Sequence, residues 1–348
     1  MQLKNLSLEN FKCFRKLNMD LGKITLLTGA NSSGKSSVIS AILGMMQTQG
    51  FPLYFSPNGK YIDMGSFEDL SWNHEKGNEI KIGLNIKAFS IEGGVETVWI
   101  DNQWNTPILK EMIPYNNILP DINFRHFNYL SSHRQPTQRF RFQASKSEYD
   151  VNKYGENYDL QIVAWKENNP ELLQILVKHL KKIQLFEKIM IKRKSGGTFE
   201  LLVKNQAKSA YQNLYDVGTG VSHFLPIIVA DLQLPQDSTL IVSDPELHLH
   251  PNVQANFGTY LVNQVRENNK NYLIETHSEY LLNRLRLEIV KGNIAPEEVK
   301  VYYLENNGIE STCFSIDLLK NGQVKGAPPA FFETYMKDHL AIALNSFA

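Results

Sequence analysis

The feature that most constrains the fold is the run Gly29-Ala-Asn-Ser-Ser-Gly34-Lys35-Ser36, directly behind the apolar segment Ile24-Thr-Leu-Leu-Thr28. A glycine, four residues and then Gly-Lys-Ser is the spacing of a phosphate-binding loop. Residues 37–46, Ser-Val-Ile-Ser-Ala-Ile-Leu-Gly-Met-Met, read as a helix with a largely apolar surface. A Gly/Ser-rich surface turn before a helix is the alternative. Strand, loop and helix in succession are the context that the phosphate loop requires. Backbone N–H groups at the helix start, together with the helix dipole, form an anion site. In that reading Gly29, Asn31, Ser32, Ser33, Gly34, Lys35, Ser36 and Ser37 cradle a nucleotide. Lys35 reaches the β- and γ-phosphates, and the Ser36 hydroxyl takes a place on Mg²⁺.

The remaining pattern predicts alternating strands and helices around this loop. Residues 2–9 and 15–20 read as short strands, with Leu6 and Leu8 alternating against polar positions. Phe11 and Phe14 between them read as core residues, with a place beside an adenine as the other reading. Ile80, Ile82, Leu84 and Ile86, a turn signal at Ser90-Ile-Glu-Gly-Gly94 and the run 95–100 predict a β-hairpin flanking the nucleotide lobe. Residues 101–170 carry little periodicity. Helical spacing returns at Leu172, Leu176, Leu180 and Ile183, and residues 189–191 and 199–203 predict a second hairpin around Ser195-Gly-Gly197. A glycine-rich turn at 217–220 opens an apolar helix running to Leu232. Strands are expected at 239–242, 272–274 and 299–304, with helices at about 252–266 and from Ser278 to about Val290. The whole predicts an α/β fold with a mostly parallel central sheet, an antiparallel β flank and a mixed inserted region. As one head it divides into a phosphate-loop lobe at 1–100, the insertion at 101–210 and a second lobe at 211–348.

Hydrolysis needs an acidic partner for the phosphate loop. Asp244 and Glu246 follow the β-branched run 239–242 and fit that position, against the alternative of a solvated acidic turn. His248 and His250 suggest metal only weakly, since no Cys or carboxylate cluster completes a zinc set nearby. His277 follows an apolar strand and stands open between a γ-phosphate contact and a helix-capping role. Gly218 and Gly220 read either as a plain loop or as a second phosphate-facing helix start.

The order Asn10-Phe11-Lys12, phosphate loop, Val217-Gly-Thr-Gly-Val-Ser222, Asp244-Pro-Glu-Leu-His-Leu-His-Pro251 and Glu275-Thr-His-Ser278 resembles the ABC-type ATPases of the SMC and OLD group. More narrowly, it resembles short prokaryotic AAA-type ATP-binding proteins of anti-phage defence, including at Tyr129–Leu130 through Pro136 and at the closing segment 326–333. The resemblance implies ATP and Mg²⁺ as cofactors, Ser36 and Asp244 at the metal, and Asp244, Glu246 and the switch histidine His277 as catalytic groups. It places Gly218, Gly220 and Ser222 in the signature that meets a partner subunit's γ-phosphate, and Leu249-His250-Pro251 in the D-loop. ATP is then held head to tail in a homodimer or higher oligomer. The group reads Asp-Glu-Pro-Glu where this chain has Ser243-Asp244-Pro245-Glu246. Ser243 therefore stands at the metal-site Asp and Asp244 at the water-polarising Glu, and slow or conditional turnover is expected. Gly218 replaces a common signature serine.

Composition narrows the function further. Lys+Arg and Asp+Glu balance at 36 each, so no global field draws the chain to nucleic acid or lipid. A DNA contact then rests on local clusters such as Lys178-Lys181-Lys182 and Lys192-Arg193-Lys194. Two distant cysteines, Cys13 and Cys313, no signal-peptide core and no apolar run of about 18 residues predict a cytoplasmic protein without a membrane span. The segment after His277 lacks the acidic pattern of a fused Toprim nuclease. The leading expectation is therefore an ATP-gated sensor or scaffold for a separately encoded effector, a nuclease. An SMC-like DNA-end ATPase is the alternative, and a transporter ATPase is disfavoured for want of Leu-Ser-Gly-Gly-Gln.

Overall fold

The computed structural model describes residues 1–47, 56–74, 79–88, 91–99, 108–114, 126–143, 149–329 and 331. Among them the central sheet has the spatial order Val324–Lys325, Ser311–Leu318, Val299–Asn306, Ile24–Gly29, Asn271–Glu275, Thr239–Ser243, Phe127–Leu130. The five strands from Val299–Asn306 to Phe127–Leu130 run parallel, and Ser311–Leu318 returns antiparallel along Val299–Asn306.

The parallel strands read as continuous apolar runs because both of their faces are covered. Ile24, Leu26, Leu240, Val242, Tyr272 and Ile274 point into one core. Helices Tyr158–Asn168, Pro170–Ile183, Thr219–Gln233, Pro251–Asn268 and Glu279–Val290 supply the rest of it. Leu27, Ile241 and Leu273 point the other way, toward helix Lys35–Gln47 and the antiparallel flank. That flank has the order Phe14–Asp20, Gln2–Phe11, Ile80–Ala88, Ile91–Trp99, Ile108–Pro114, antiparallel throughout. The expected hairpin is its centre, but the return strand begins at Ile91, so Gly93 and Gly94, expected in the turn, pair with Ile86 and Asn85 instead; residues 89–90 and Ile100 lie outside the described residues. Phe11 and Phe14 are fully buried core residues.

The weakly periodic stretch is not set apart from the main sheet. Phe127–Leu130 pairs with the strand Thr239–Ser243, and helix Tyr158–Asn168 lies in the same core as helix Thr219–Gln233. The second hairpin, Lys188–Arg193 with Thr198–Lys204, belongs to a small sheet with Gln212–Asn213 and Arg141–Phe142. Parts of 101–210 and most of the closing segment 326–333 beyond Pro329 lie outside the described residues. No described helix is long and apolar enough to cross a membrane. Cys13 and Cys313 are free thiols.

One buried polar knot ties together the elements that carry the site. Asp231, on helix Thr219–Gln233, is fully buried and accepts from the Tyr272 hydroxyl at 3.0 Å and from the Tyr260 hydroxyl. Lys270, 4% exposed, closes the knot with its ammonium 3.3 Å from the Asp231 carboxylate. Burial, reinforced by the Asp231 charge, holds both tyrosines well above their ordinary pKa. Breaking such a pair from one side strands a buried charge, whereas removing both does not. Asp231→Ala should therefore lower unfolding free energy by about 3–5 kcal/mol in urea denaturation, and Asp231→Ala/Lys270→Met by clearly less.

Candidate functional site

The phosphate loop is shaped by three left-handed backbone positions, Gly29 at φ 137°, Ser32 at φ 60° and Gly34 at φ 103°. A Cβ on Gly29 would lie 2.2 Å from the Leu304 carbonyl oxygen, and one on Gly34 would lie 2.8 Å from Cys13 Sγ and Phe14 Cζ. Both glycines are thus required by conformation and by close approach. The loop ends in helix Lys35–Gln47, where the N–H groups of Ser37 and Val38 donate to the Gly34 carbonyl and those of Lys35 and Ser36, ahead of them, have no acceptor within the helix. Lys35 folds over the loop and donates to the carbonyls of Gly29 (3.0 Å) and Ala30 (2.7 Å). The Ser33 hydroxyl is 1% exposed and has no partner in the protein. Residues 31–37, Lys12, Cys13, Asp244, Glu275 and His277 line a single cleft of about 420 Å³. A buried orphan hydroxyl, a buried lysine and a helix start in one cleft fit a nucleotide's phosphates.

Two acidic strand ends meet this loop. Strand Asn271–Glu275 lies between Ile24–Gly29 and Thr239–Ser243, with Glu275 in register with Leu27 on one side and Ser243 on the other. The carboxylate in contact with Ser36 is that of Glu275, which accepts from the Ser36 hydroxyl at 2.7 Å. Asp244 lies one residue past its strand at φ 46°, its N–H donating to the Glu275 carbonyl at 2.8 Å. Glu246 is engaged elsewhere: it accepts from the Thr276 hydroxyl at 2.7 Å and from the His277 N–H at 2.5 Å. It braces the 276–277 turn and does not line the cleft. Burial raises the Glu246 pKa against the pull of those hydrogen bonds. Burial likewise lowers the Lys35 pKa, opposed by Glu275, Asp244 and Glu246. Oxygen donors from Ser36, Glu275 and Asp244 suit Mg²⁺, which takes one or two carboxylates and completes its shell with phosphate and water. No cluster of three His, Cys or acidic side chains that could hold a metal alone is found among the described residues.

Of the other expected residues, all but His277 lie apart from the cleft. Gly218 is the exposed N-cap of helix Thr219–Gln233, and a Cβ there would meet nothing within 4 Å. Gly220 is buried against the turn at His248-Leu249, where a Cβ would lie 2.3 Å from the His248 carbonyl oxygen. Ser222 is buried and donates to the Thr219 carbonyl at 2.9 Å. His250 caps helix Pro251–Asn268 by accepting from the Asn252 N–H, and His248 packs edge-on against His223. His277 itself is exposed at the cleft, and the helix cap is Ser278, accepting from the Leu281 N–H.

Three residues that lie within the quoted motifs are assigned no role by the sequence. Glu275 carries the same signal as Asp244, a carboxylate ending an apolar strand. Lys12 lines the cleft with φ 50°. Arg134, 4% exposed, donates to the carbonyls of Ser131, Ser243 and Asp244 at 2.7–2.8 Å and so clamps the acidic loop. Burial brings its pKa down to about 10. Beside it, burial pushes the Tyr129 phenol up to about 12, and its hydroxyl bonds the Ser243 side chain.

Residues 24–283 match the protein family described as "AAA domain, putative AbiEii toxin, Type IV TA system". No curated protein matches the chain. Among solved structures, the SMC head domain from Thermotoga maritima is similar with a TM-score of 0.53 at 13% identity, covering 91% of this chain and 100% of that one. An SMC head bound to the C-winged helix domain of ScpA is similar with a TM-score of 0.55 at 11% identity, covering 91% of this chain and 98% of that one. At these identities the likeness is one of fold.

Burial, and next the Lys35 charge, lower the His277 pKa, against weaker opposition from Asp244 and Glu275. The imidazole should titrate below the ordinary value of about 6.5. Lys35→Met should move it upward by removing a repelling cation, as read by NMR of the His277 ring. An unmoved titration would separate the two side chains.

Proposed function

The chain belongs to the AAA-domain family described as putative AbiEii toxins of type IV toxin–antitoxin systems and has an ATPase-type, SMC-head-like fold; on that premise we propose that it is an ATP-gated dimeric switch. In this reading ATP and Mg²⁺ bind at residues 29–37, and Asp244 and His277 serve the γ-phosphate end. Two copies then close head to tail, each offering its Gly218 turn to the other's nucleotide. The observation that carries the reading is the split between the two glycine-rich helix starts. The phosphate loop is built into the cleft, whereas Gly218 and Thr219 are exposed and no residue of 218–222 lines that cleft. Half of a composite site is thus presented outward.

Ser243 and Asp244 in place of the group's Asp-Glu pair suit slow turnover, and slow turnover suits a switch better than a motor. The finer role is that of a cytoplasmic sensor or regulatory scaffold for a separately encoded effector, a nuclease, in prokaryotic anti-phage defence. The second reading, an SMC-like DNA-end ATPase, draws on the exposed cations of helix Pro170–Ile183 and strand Lys188–Arg193. Much of that cluster is already neutralised. Lys181 pairs with Glu187, Arg193 with Glu167 and Lys194 with Glu200. Salt-sensitive DNA binding by the chain alone would favour this second reading.

Native mass measurement tests the dimer. ATP with Mg²⁺ should double the mass of the wild-type chain, while Lys35→Ala, losing a charged phosphate contact, should bind ATP roughly 10- to 100-fold more weakly and stay monomeric. A wild-type mass that ignores ATP would overturn the switch. Phosphate release should run well below the roughly 10 per second of ordinary enzymes, and Asp244→Asn should abolish what remains. Turnover at ordinary rates, or turnover untouched by Asp244→Asn, would remove the proposed role of Asp244.

A further inference from the structure

We propose that the carboxylate holding the divalent cation has moved from the Thr239–Ser243 strand to its neighbour, and that Glu275 performs this role beside Ser36. The inference rests on the nucleotide-binding reading above and assigns the metal to a different residue from Asp244, where the family resemblance alone would place it.

Register is the first argument. Ser243 and Glu275 are direct partners in parallel strands. Partners in a parallel ladder send their side chains to the same face, as the shared cores of Ile241 with Leu273 and of Leu240 with Tyr272 illustrate. A carboxylate transferred from position 243 to position 275 therefore keeps its face and shifts sideways by about 4.8 Å, one strand spacing. The shift is toward the phosphate loop, because Asn271–Glu275 lies directly beside Ile24–Gly29.

Contact is the second argument. The face in question is the one covered by helix Lys35–Gln47, and there the Ser36 hydroxyl donates to Glu275 Oε1 at 2.7 Å. In phosphate-loop enzymes the loop Ser/Thr and a strand-end carboxylate hold Mg²⁺ together, and a hydroxyl–carboxylate pair is the arrangement from which both can do so. Ser243, by contrast, is buried and its hydroxyl is bonded by Tyr129. Asp244 has its backbone pinned from both sides, by the Glu275 carbonyl and by Arg134. Its carboxylate lies in the cleft with no hydrogen bond of its own among the described residues, and it is left to orient water. The two acidic groups thereby divide the work: Glu275 serves the cation and Asp244 the attacking water.

Binding of a fluorescent ATP analogue across a Mg²⁺ titration, with Mn²⁺ electron paramagnetic resonance on the same samples, tests the assignment without relying on turnover. Glu275→Gln, nearly the same shape, should weaken cation affinity in the presence of nucleotide by roughly 10- to 100-fold. Its cation-free affinity for the analogue should not fall below the wild-type value, since a carboxylate that repels the phosphates is removed, and retained binding also reports that the variant is folded. Adding Ser243→Asp to Glu275→Gln should recover cation binding, and Asp244→Asn alone should weaken it far less than Glu275→Gln does. Wild-type cation affinity in Glu275→Gln, with its loss in Asp244→Asn, would overturn the assignment while leaving the nucleotide site standing. Failure of the wild-type chain to bind the analogue at all would overturn both.

Discussion

Ser36 and Glu275 lie 239 residues apart in sequence and 2.7 Å apart in the fold. Their contact exists because strand Asn271–Glu275 inserts in parallel register beside the strand that feeds the phosphate loop. Parallel strands need long crossovers, so the chain must complete most of its length before this neighbour is available. The site is therefore a property of the finished sheet. A slip of one residue in either strand would turn Glu275 to the opposite face and bring Ile274, a core side chain, toward the loop.

What holds that register is burial on both sides of the sheet, backed by a polar knot beneath it. Tyr272, three residues before Glu275, reaches through the core to Asp231 on the helix that begins at the exposed Gly218. Tyr260 ties the same carboxylate to helix Pro251–Asn268. One buried carboxylate thus couples the outward-facing Gly218 turn, helix Pro251–Asn268 and the strand that ends at the cleft. Above the sheet, Arg134 performs a similar service for the acidic loop, using carbonyl contacts and leaving the carboxylate of Asp244 unengaged.

The legible parts of the sequence are those where local pattern and tertiary role coincide. Residues 24–36 show strand, turn and helix within one short window. The hairpin at Ile80–Ala88 shows a two-residue alternation because one of its faces is polar. Helix Tyr158–Asn168 has neither advantage. Every residue from Tyr158 to Trp165 is buried, Asp159 and Gln161 included, so no polar stripe marks its period. Asp159 is satisfied there by the Arg141 guanidinium at 2.9 Å, a partner that nothing local announces. Strand Phe127–Leu130 is four residues long, too short for its periodicity to be read.

By itself the sequence determined the phosphate loop, the α/β class and the acidic and histidine positions at strand ends, because each depends on spacing within a few residues. Tertiary structure alone decided which carboxylate meets Ser36, that Glu246 braces a turn and that Gly220 and Ser222 are buried within their own chain. Those outcomes depend on which strand lies beside which, and in a parallel sheet neighbours are chosen by long-range packing that no local window contains. The same holds for the exchange between positions 243 and 275. In the linear chain it looks like a missing aspartate and an unremarked glutamate, and only their pairing across the sheet makes them one feature.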